Sequence, residues 1–334
     1  VRVRGLLTVV ALLAATISVE PAGQLPVSSP VAVDRAEGEF TVVVIPDTQR
    51  YSAYFPRIMR SQFEWIRRNV SALNVQYVVH LGDVVETGAE AEWVLADELF
   101  SLLDGVVPYT VVPGNHDLDP VTGSARTRHT TRFNALFSPK RFLHQPWYGG
   151  QMGVTGDNSF GYFSAAGQSY LVLGLEFGPS DDALAWAASL ASNVDSSKII
   201  VVTHCYMYDD DTRVGQGDDS SPHKSNPQWN DGEQIWDKFV KRTSNVGMVL
   251  SGHIKGDGTG RLISTTDRGA PVLQMLSNYQ FLEHGGQGWL RVLKFSPRTH
   301  SLRVVTYSPW LDRVHANQDQ SFEVSIPWMF APGN

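Results

Sequence analysis

Residues 41–47 read TVVVIPD. Five β-branched residues, Thr41 to Ile45, run without a break and stop at Pro46-Asp47. Such side chains are stiff and suit a pleated surface. A run that does not alternate apolar with polar reads as a strand covered on both faces, the mark of a sheet inside an α/β fold. The run also ends on a carboxylate. The same form returns in QYVVHLGD (76–83), PYTVVPGNHD (108–117), KIIVVTHC (198–205) and GMVLSGH (247–253). Each is an apolar strand whose end carries an acid, an amide or an imidazole.

Working outward, helices alternate with these strands. Residues 56–70, PRIMRSQFEWIRRNV, place Ile58, Phe63, Ile66 and Val70 near helical spacing behind Pro56. Residues 91–105, AEWVLADELFSLLDG, form a second helical stretch closed by Gly105. The later chain is strand-rich: FGYFSA (160–165), SYLVLGLEF (169–177), APVLQMLSNYQ (270–280), GWLRVLKFS (288–296) and SLRVVTYS (301–308). The pattern predicts a layered α/β domain over 39–308, with 309–334 as a C-terminal extension packed on it.

The start of the chain differs. Arg2 and Arg4 precede the apolar residues 6–17, LLTVVALLAATI. A basic start and a short apolar core are the form of a secretory signal, expected here over 1–24. A loose polar linker is expected over 25–38, outside the fold, and the mature protein is expected to be secreted or extracytoplasmic. No stretch reaches the ~20 apolar residues that span a bilayer as a helix.

Bulk composition narrows the function. The net charge is −7 over 334 residues, with no long basic run, so no duplex nucleic acid partner is expected and a secreted nuclease is disfavoured. The lone cysteine, Cys205, rules out an internal disulfide or a Cys-based zinc site.

In open α/β sheets the ligand crevice lies beyond the carboxyl ends of the strands. Asp47, Asp83, Asn115 with His116, His204 and His253 all fall there. A single histidine after a strand is usually a hydrogen-bonded structural residue; five donor groups at five strand ends are poorly explained that way. Carboxylates and imidazoles together suit Mn, Fe, Zn or a similar ion. His116 has the reach of a general acid, and Asp117 is expected to orient its imidazole.

The series PDTQ, GDVVE, GNHD, TH and GHIK, in that order from 46 to 255, resembles the calcineurin-like metallophosphoesterase family. The resemblance covers most of 40–308. It implies a four-layer αββα sandwich with two central mixed β-sheets, and one or two divalent metal ions at the sheet edge. It implies that Asp83 bridges two metals, that Asn115, His204 and His253 complete the second, and that Asp47 holds the first. It implies that His116, backed by Asp117, protonates the leaving group or holds a phosphoryl oxygen. Two positions depart from the family pattern. Gln49 stands where D-x-H has its histidine, and Lys255 where G-H-x-H has its second. Both lost imidazoles belong to the first metal. Glu86 stands where purple acid phosphatases place a tyrosine, which disfavours that subclass.

Lys255, two residues from His253, would share its side of an extended chain. An ammonium ~4 Å from a divalent ion costs about 8 kcal/mol at an effective dielectric of ~20. Three outcomes stay open: Lys255 points away and the first metal is held by Asp47, Gln49, Asp83 and another donor such as Asp257 or Gln280; Lys255 is neutral and ligates; or its ammonium replaces the ion.

The expected function is hydrolysis of a small phosphorylated substrate, monoester or diester, by a metal-activated hydroxide. Asn115, His116, Arg50 and Lys255 are the expected substrate contacts. The alternative is an exported phosphate- or nucleotide-binding protein with a degraded first site and little turnover. Arg126, Arg128, His129 and Arg132 are weighed as a phosphate-positioning cluster, and 208–219, YDDDTRVGQGDD, as a mobile lid.

Overall fold

The structure is a computed structural model that describes residues 31–119, 127–194 and 197–330. Its strands, in chain order, are β1 (Phe40–Ile45), β2 (Val75–His80), β3 (Tyr109–Val111), β4 (Tyr148–Gln151), β5 (Ser159–Ala165), β6 (Gln168–Leu175) and β7 (Lys198–Thr203). There follow β8 (Val246–Ser251), β9 (Thr259–Thr265), β10 (Pro271–Ser277), β11 (Leu290–Ser296), β12 (Ser301–Ser308), β13 (Arg313–Val314) and β14 (Phe322–Ser325). The helices used below are α1 (Gln49–Tyr54), α2 (Pro56–Asn69), α3 (Glu90–Ser101), α4 (Thr131–Phe137), α5 (Pro139–Phe142), α6 (Asp181–Ser192), α7 (Pro222–Ser225) and α8 (Gly232–Lys238).

Among the described residues the strands form two seven-stranded sheets. The first runs β13-β12-β11-β1-β2-β3, with β14 beside β12; the second runs β4-β5-β6-β7-β8-β10-β9. β1, β2 and β3 are parallel, while β1 meets β11 antiparallel. β6, β7, β8 and β10 are parallel, flanked by antiparallel β5 and β9. Both sheets are therefore mixed.

Residue alternation along the parallel strands builds three apolar layers. In β1, Val42 and Val44 face the second sheet, and Val43 and Ile45 face α2 and α3. In β7, Ile200 and Val202 face the first sheet, and Ile199 and Val201 face α6 and α8. The order is helix, sheet, sheet, helix: the αββα sandwich. Strands covered on both faces need no polar residues along their length, which explains the unbroken runs that mark them in the sequence.

Several elements left little trace in sequence. α6 begins at Ser180, whose hydroxyl caps the Ala183 N–H at 3.1 Å, but its alanine-rich face shows weak periodicity. β4, β9, β13 and β14 are short or half-exposed edge strands.

The expected signal segment, 1–24, and the first part of the linker lie outside the described residues. The rest of the linker is not outside the fold. Val31 is buried with the cluster under α2, and the Lys294 ammonium donates to the Ala32 carbonyl at 3.0 Å. The reason is local: an apolar valine covers the open edge of that cluster. The extension after Ser308 is also drawn inward, since β13 and β14 complete the first sheet and Ile326 and Met329 sit between the two sheets. Among the described residues no helix is long and apolar enough to cross a membrane.

Met329 is fully buried between the sheets and its carbonyl accepts from the Tyr170 hydroxyl at 3.1 Å. Truncating a buried side chain of this size costs roughly 2–5 kcal/mol. Met329→Ala is expected to lose that much in chemical denaturation; a loss below 1 kcal/mol, on the same scale, would mean that the segment is not part of the core.

Candidate metal centre and active site

The loops after β1, β2, β3, β7 and β8 meet at one edge of the sandwich. They bring together Asp47, Asp83, Asn115, His116, His204 and His253. Two of these residues, Asp83 (φ +52°) and His253 (φ +71°), lie in the left-handed region. A non-glycine residue held there costs about 1–3 kcal/mol. Neighbouring glycines make room: a Cβ on Gly114 would collide with Asp83 Oδ1, and one on Gly252 with Asp47 Oδ1.

Hydrogen bonds around the imidazoles settle their tautomers. His204 Nδ1 lies 2.7 Å from the Leu81 carbonyl, so it carries a proton, and in the neutral ring Nε2 is a lone pair. His253 Nε2 lies 2.9 Å from the Ser220 carbonyl, so its Nδ1 is likewise a lone pair. Those two nitrogens face each other at 3.1 Å. Asn115 Oδ1 stands 3.2 Å and Asp83 Oδ2 3.3 Å from His204 Nε2. With both rings neutral, as a bound cation requires, four acceptor atoms thus converge. A divalent ion bound at ~2.0–2.2 Å to each would set neighbouring ligand atoms ~3.0–3.6 Å apart, so the group has the size and chemistry of a metal seat. Asp83, His204 and His253 offer ligand atoms within 4.8 Å of one another.

These strand-end loops also line a cavity of about 280 Å³, whose walls include Gln49, Arg50, Asp83, Glu86, Asn115, His116, Phe177, Ser220, Ser225, His253, Lys255, Gln280 and Phe281.

The profile of the family described as calcineurin-like phosphoesterase matches residues 40–256. The chain belongs to that family. A curated relative, the uncharacterized protein YvnB of Bacillus subtilis strain 168, is 34% identical over 291 residues, which is 83% of this chain and 20% of YvnB. This chain therefore spans about a fifth of that relative's length. Among solved structures, purple acid phosphatase PPD1 from yellow lupin, Lupinus luteus, is similar with a TM-score of 0.53 and 12% identity, over 86% of this chain and 54% of that one. At that identity the likeness shows the fold. Family members work with two metal ions, and the donor set here fits at least one of them.

One role expected in this family member is reassigned. Asp117 does not orient His116. Its carboxylate accepts from the backbone N–H groups of Gly114 and Val84, both at 2.9 Å, and of Val85 at 3.2 Å. It ties the GNHD turn to the loop after β2. The imidazole is oriented by the Glu86 carbonyl, 2.7 Å from Nδ1, and the His116 N–H donates to Asp83 Oδ1 at 2.8 Å. A backbone carbonyl leaves no mark in sequence, so this partner could not be read there. The same holds for Leu81 and Ser220.

The first-metal side holds Asp47, Gln49 and Gln280. Asp47 accepts from the His253 N–H at 3.1 Å and from Gln280 Nε2 at 2.9 Å. Lys255 points away from them. β8 has ended at Ser251, and the Ile254 N–H closes a three-residue turn on the Gly252 carbonyl at 2.8 Å. The same-side rule of an extended strand no longer applies. The Lys255 ammonium lies over the Phe281 ring, 5.0 Å from its centroid, in the cavity wall. Asp257 turns onto its own loop, accepting from the Thr259 N–H at 3.0 Å. Arg50 pairs with Glu86 at 3.4 Å at the cavity rim.

The arginine cluster is not assembled at the site. Arg128 is engaged by Glu176 at 3.2 Å, the Gly178 carbonyl at 2.5 Å and the Trp229 ring. Arg132 donates to the Gly88 carbonyl, and the His129 carbonyl accepts from the Asp119 N–H. Arg126 lies outside the described residues. The 208–219 loop is anchored rather than free: Arg213 binds Gln274 at 2.8 Å and covers the Trp236 ring. Cys205 is buried in the helix-side cluster and desolvation pushes its thiol up, as for an inert core thiol.

Charge is crowded at this edge. Burial, opposed by His204 and aided by the Asp83 charge, pushes Asp47 up to about 8. Burial opposes charge on His204, yet the Asp83 and Asp47 carboxylates raise it to about 9. Asp83 is held well below the usual carboxylate range by His204 and His116 despite its burial. Burial and the neighbouring His204 charge press His253 down to about 3, as a neutral ligand. Without a cation, protons take its place among these groups.

The sign of the pH dependence follows. His204, at 6.5 when unfolded and about 9 when folded, contributes stability that is complete below pH 6.5 and is lost as pH rises toward 9. Asp47, at 3.8 unfolded and about 8 folded, acts in the same direction up to pH 8. Chelator-treated protein is expected to lose melting temperature between pH 6.5 and pH 9, and an added divalent cation, which displaces those protons, to raise it most at the alkaline end. Thermal melts with and without chelator across that range check this; a cation-induced rise that is largest at the acid end would contradict it.

Proposed function

We propose that this phosphoesterase hydrolyses a phosphate ester of a small substrate in the strand-end cavity, outside the cytoplasm. The observation that carries the proposal is the convergence of four acceptor atoms beside His116. Asp83, Asn115, His204 and His253 would hold the ion. When bound, such an ion supplies a water nucleophile at neutral pH and draws charge from the phosphoryl oxygens. Export rests on Arg2, Arg4 and the apolar residues 6–17.

The chain's own residues do the rest. The Glu86 carbonyl holds the His116 Nδ1 proton, which leaves Nε2 as the ring atom available to a substrate. Burial opposes charge on His116, but Asp83 and the Glu86 carbonyl overcome it and raise its affinity for a proton. His116 is thereby suited to donate from Nε2 to the departing oxygen or to a phosphoryl oxygen. The Asp83–His116 backbone link keeps this donor in register with the metal seat. Arg50 and Lys255, at the rim, are the cations placed to meet the remaining substrate charge, with Phe177 and Phe281 as apolar walls. The cavity's polar lining and modest size favour a small phosphorylated molecule.

The second reading, a phosphate- or nucleotide-binding protein with little turnover, rests on the loss of two imidazoles at Gln49 and Lys255. One experiment separates the two: turnover of p-nitrophenyl phosphate and of bis-p-nitrophenyl phosphate with added Mn²⁺. His116→Ala is expected to lower kcat roughly 10²–10⁴-fold while keeping the cation-induced rise in melting temperature. Asp83→Ala is expected to lose both. Wild-type turnover in both variants would remove the mechanism, and absence of turnover in the native protein with both esters would favour the binding protein.

A further inference from the structure

Among the described residues, two buried amide oxygens in the cavity wall have no partner, Oε1 of Gln49 and Oε1 of Gln280. Their residues are only 3% and 4% exposed. They arrive from separate elements, Gln49 from the first turn of α1 and Gln280 from the loop after β10. Gln280 is oriented: its Nε2 donates to Asp47 Oδ2 at 2.9 Å, which leaves Oε1 as its unused atom. A buried acceptor with no donor is unfavourable, and these two share the cavity wall with Asp83, while Gln280 also touches Asp47. Among the described residues no lysine or arginine pairs with the Asp47 and Asp83 carboxylates, and neighbouring imidazoles are their only charged protein partners. Lys255 faces the Phe281 ring and makes no ion pair among the described residues.

We infer that Gln49 and Gln280, with Asp47 and Asp83, form an all-oxygen seat for a hard cation of the Mg²⁺ or Mn²⁺ class, beside the imidazole-bearing seat. The inference rests on the proposed reading of Asp83, Asn115, His204 and His253 as that neighbouring seat. Oxygen donors from carboxylates and amides suit Mg²⁺, Ca²⁺ and Mn²⁺, whereas imidazoles suit Zn²⁺ and Fe²⁺. The two lost histidines therefore convert one seat in kind: its ligands change from nitrogen-containing to oxygen only. The pair of seats becomes unequal, built for two unlike ions that share Asp83.

The test uses binding, not turnover. Chelated protein is loaded with one equivalent of Zn²⁺ and titrated with Mn²⁺, followed by electron paramagnetic resonance and calorimetry. One further equivalent of Mn²⁺ is expected, released by excess Mg²⁺ while elemental analysis still finds the zinc. Gln280→Ala and, independently, Gln49→Ala should weaken that Mn²⁺ by about tenfold or more, the least that a lost metal-supporting partner costs, and leave the Zn²⁺ equivalent and its thermal shift unchanged. Two variants from separate elements distinguish a lost ligand from a local folding defect. Gln280→His should let a second Zn²⁺ displace the Mn²⁺. The inference is overturned if the zinc-loaded native protein binds no Mn²⁺, or if both alanine variants keep it at native affinity. Failure to bind the first Zn²⁺ would instead sink the reading of the imidazole seat, and this inference with it.

Discussion

Four acceptor atoms packed at contact distance are the constraint on which the rest of this edge depends. His204 spends its N–H on Leu81 and His253 spends its own on Ser220. What remains is two nitrogen lone pairs, an amide oxygen and a carboxylate. In a water-poor site such a group repels itself unless a cation or protons neutralise it. The sandwich holds the group together by anchoring each donor to a different strand. A distortion that relieved the repulsion would have to separate β2 from β7, and these belong to two sheets fixed by the apolar layer between them. Core burial thus sustains an arrangement that the local chemistry opposes.

The same layer carries the backbone strain. Asp83 and His253 follow Gly82 and Gly252 and both turn left-handed, where the chain must leave its strand sharply to aim a side chain over the sheet edge. Gly82, at φ +95°, is required by angle, whereas Gly114 and Gly252 are required by contact. Gly114 touches the Asp83 carboxylate and Gly252 the Asp47 carboxylate, so a methyl at either would push a ligand off its seat. Asp117 serves this geometry from outside the chemistry, gathering three backbone N–H groups from two loops. It positions the residues that carry the donors, which is why its place beside His116 in sequence suggested a closer role than it has.

What was legible in the sequence is the part governed by strand burial. Continuous runs such as 41–45 and 198–203 advertise strands covered on both faces, and chemistry at their ends stands out because the runs contain none. The helices α2 and α3 were legible by their spacing. Edge strands β9, β13 and β14 were not, because a half-exposed strand needs no continuous run, and α6 was not, because its face is built largely from alanine. The family motifs named the donors, but the partners that set their tautomers are backbone carbonyls, to which any residue type would contribute equally. The 31–38 segment read as linker because one buried valine, Val31, is too small a signal to separate from a polar stretch.

Lys255 shows how far a local rule extends. On an extended strand its ammonium would lie beside His253 and contest the first ion. The strand ends at Ser251, the turn at His253 redirects the chain, and the ammonium comes to rest over Phe281. The charge that seemed to forbid an ion therefore makes no ion pair with Asp47 or Asp83, and it stands instead in the cavity wall, where an anionic substrate would meet it. Gln280 stands beside Asp47, donating to it at 2.9 Å. An amide cannot neutralise a carboxylate; it can only donate to it through nitrogen and offer oxygen on its other side. Replacing an imidazole with lysine thus removes a nitrogen donor from the buried centre, adds positive charge at the cavity wall, and leaves at the centre a surplus of oxygen that suits a hard ion.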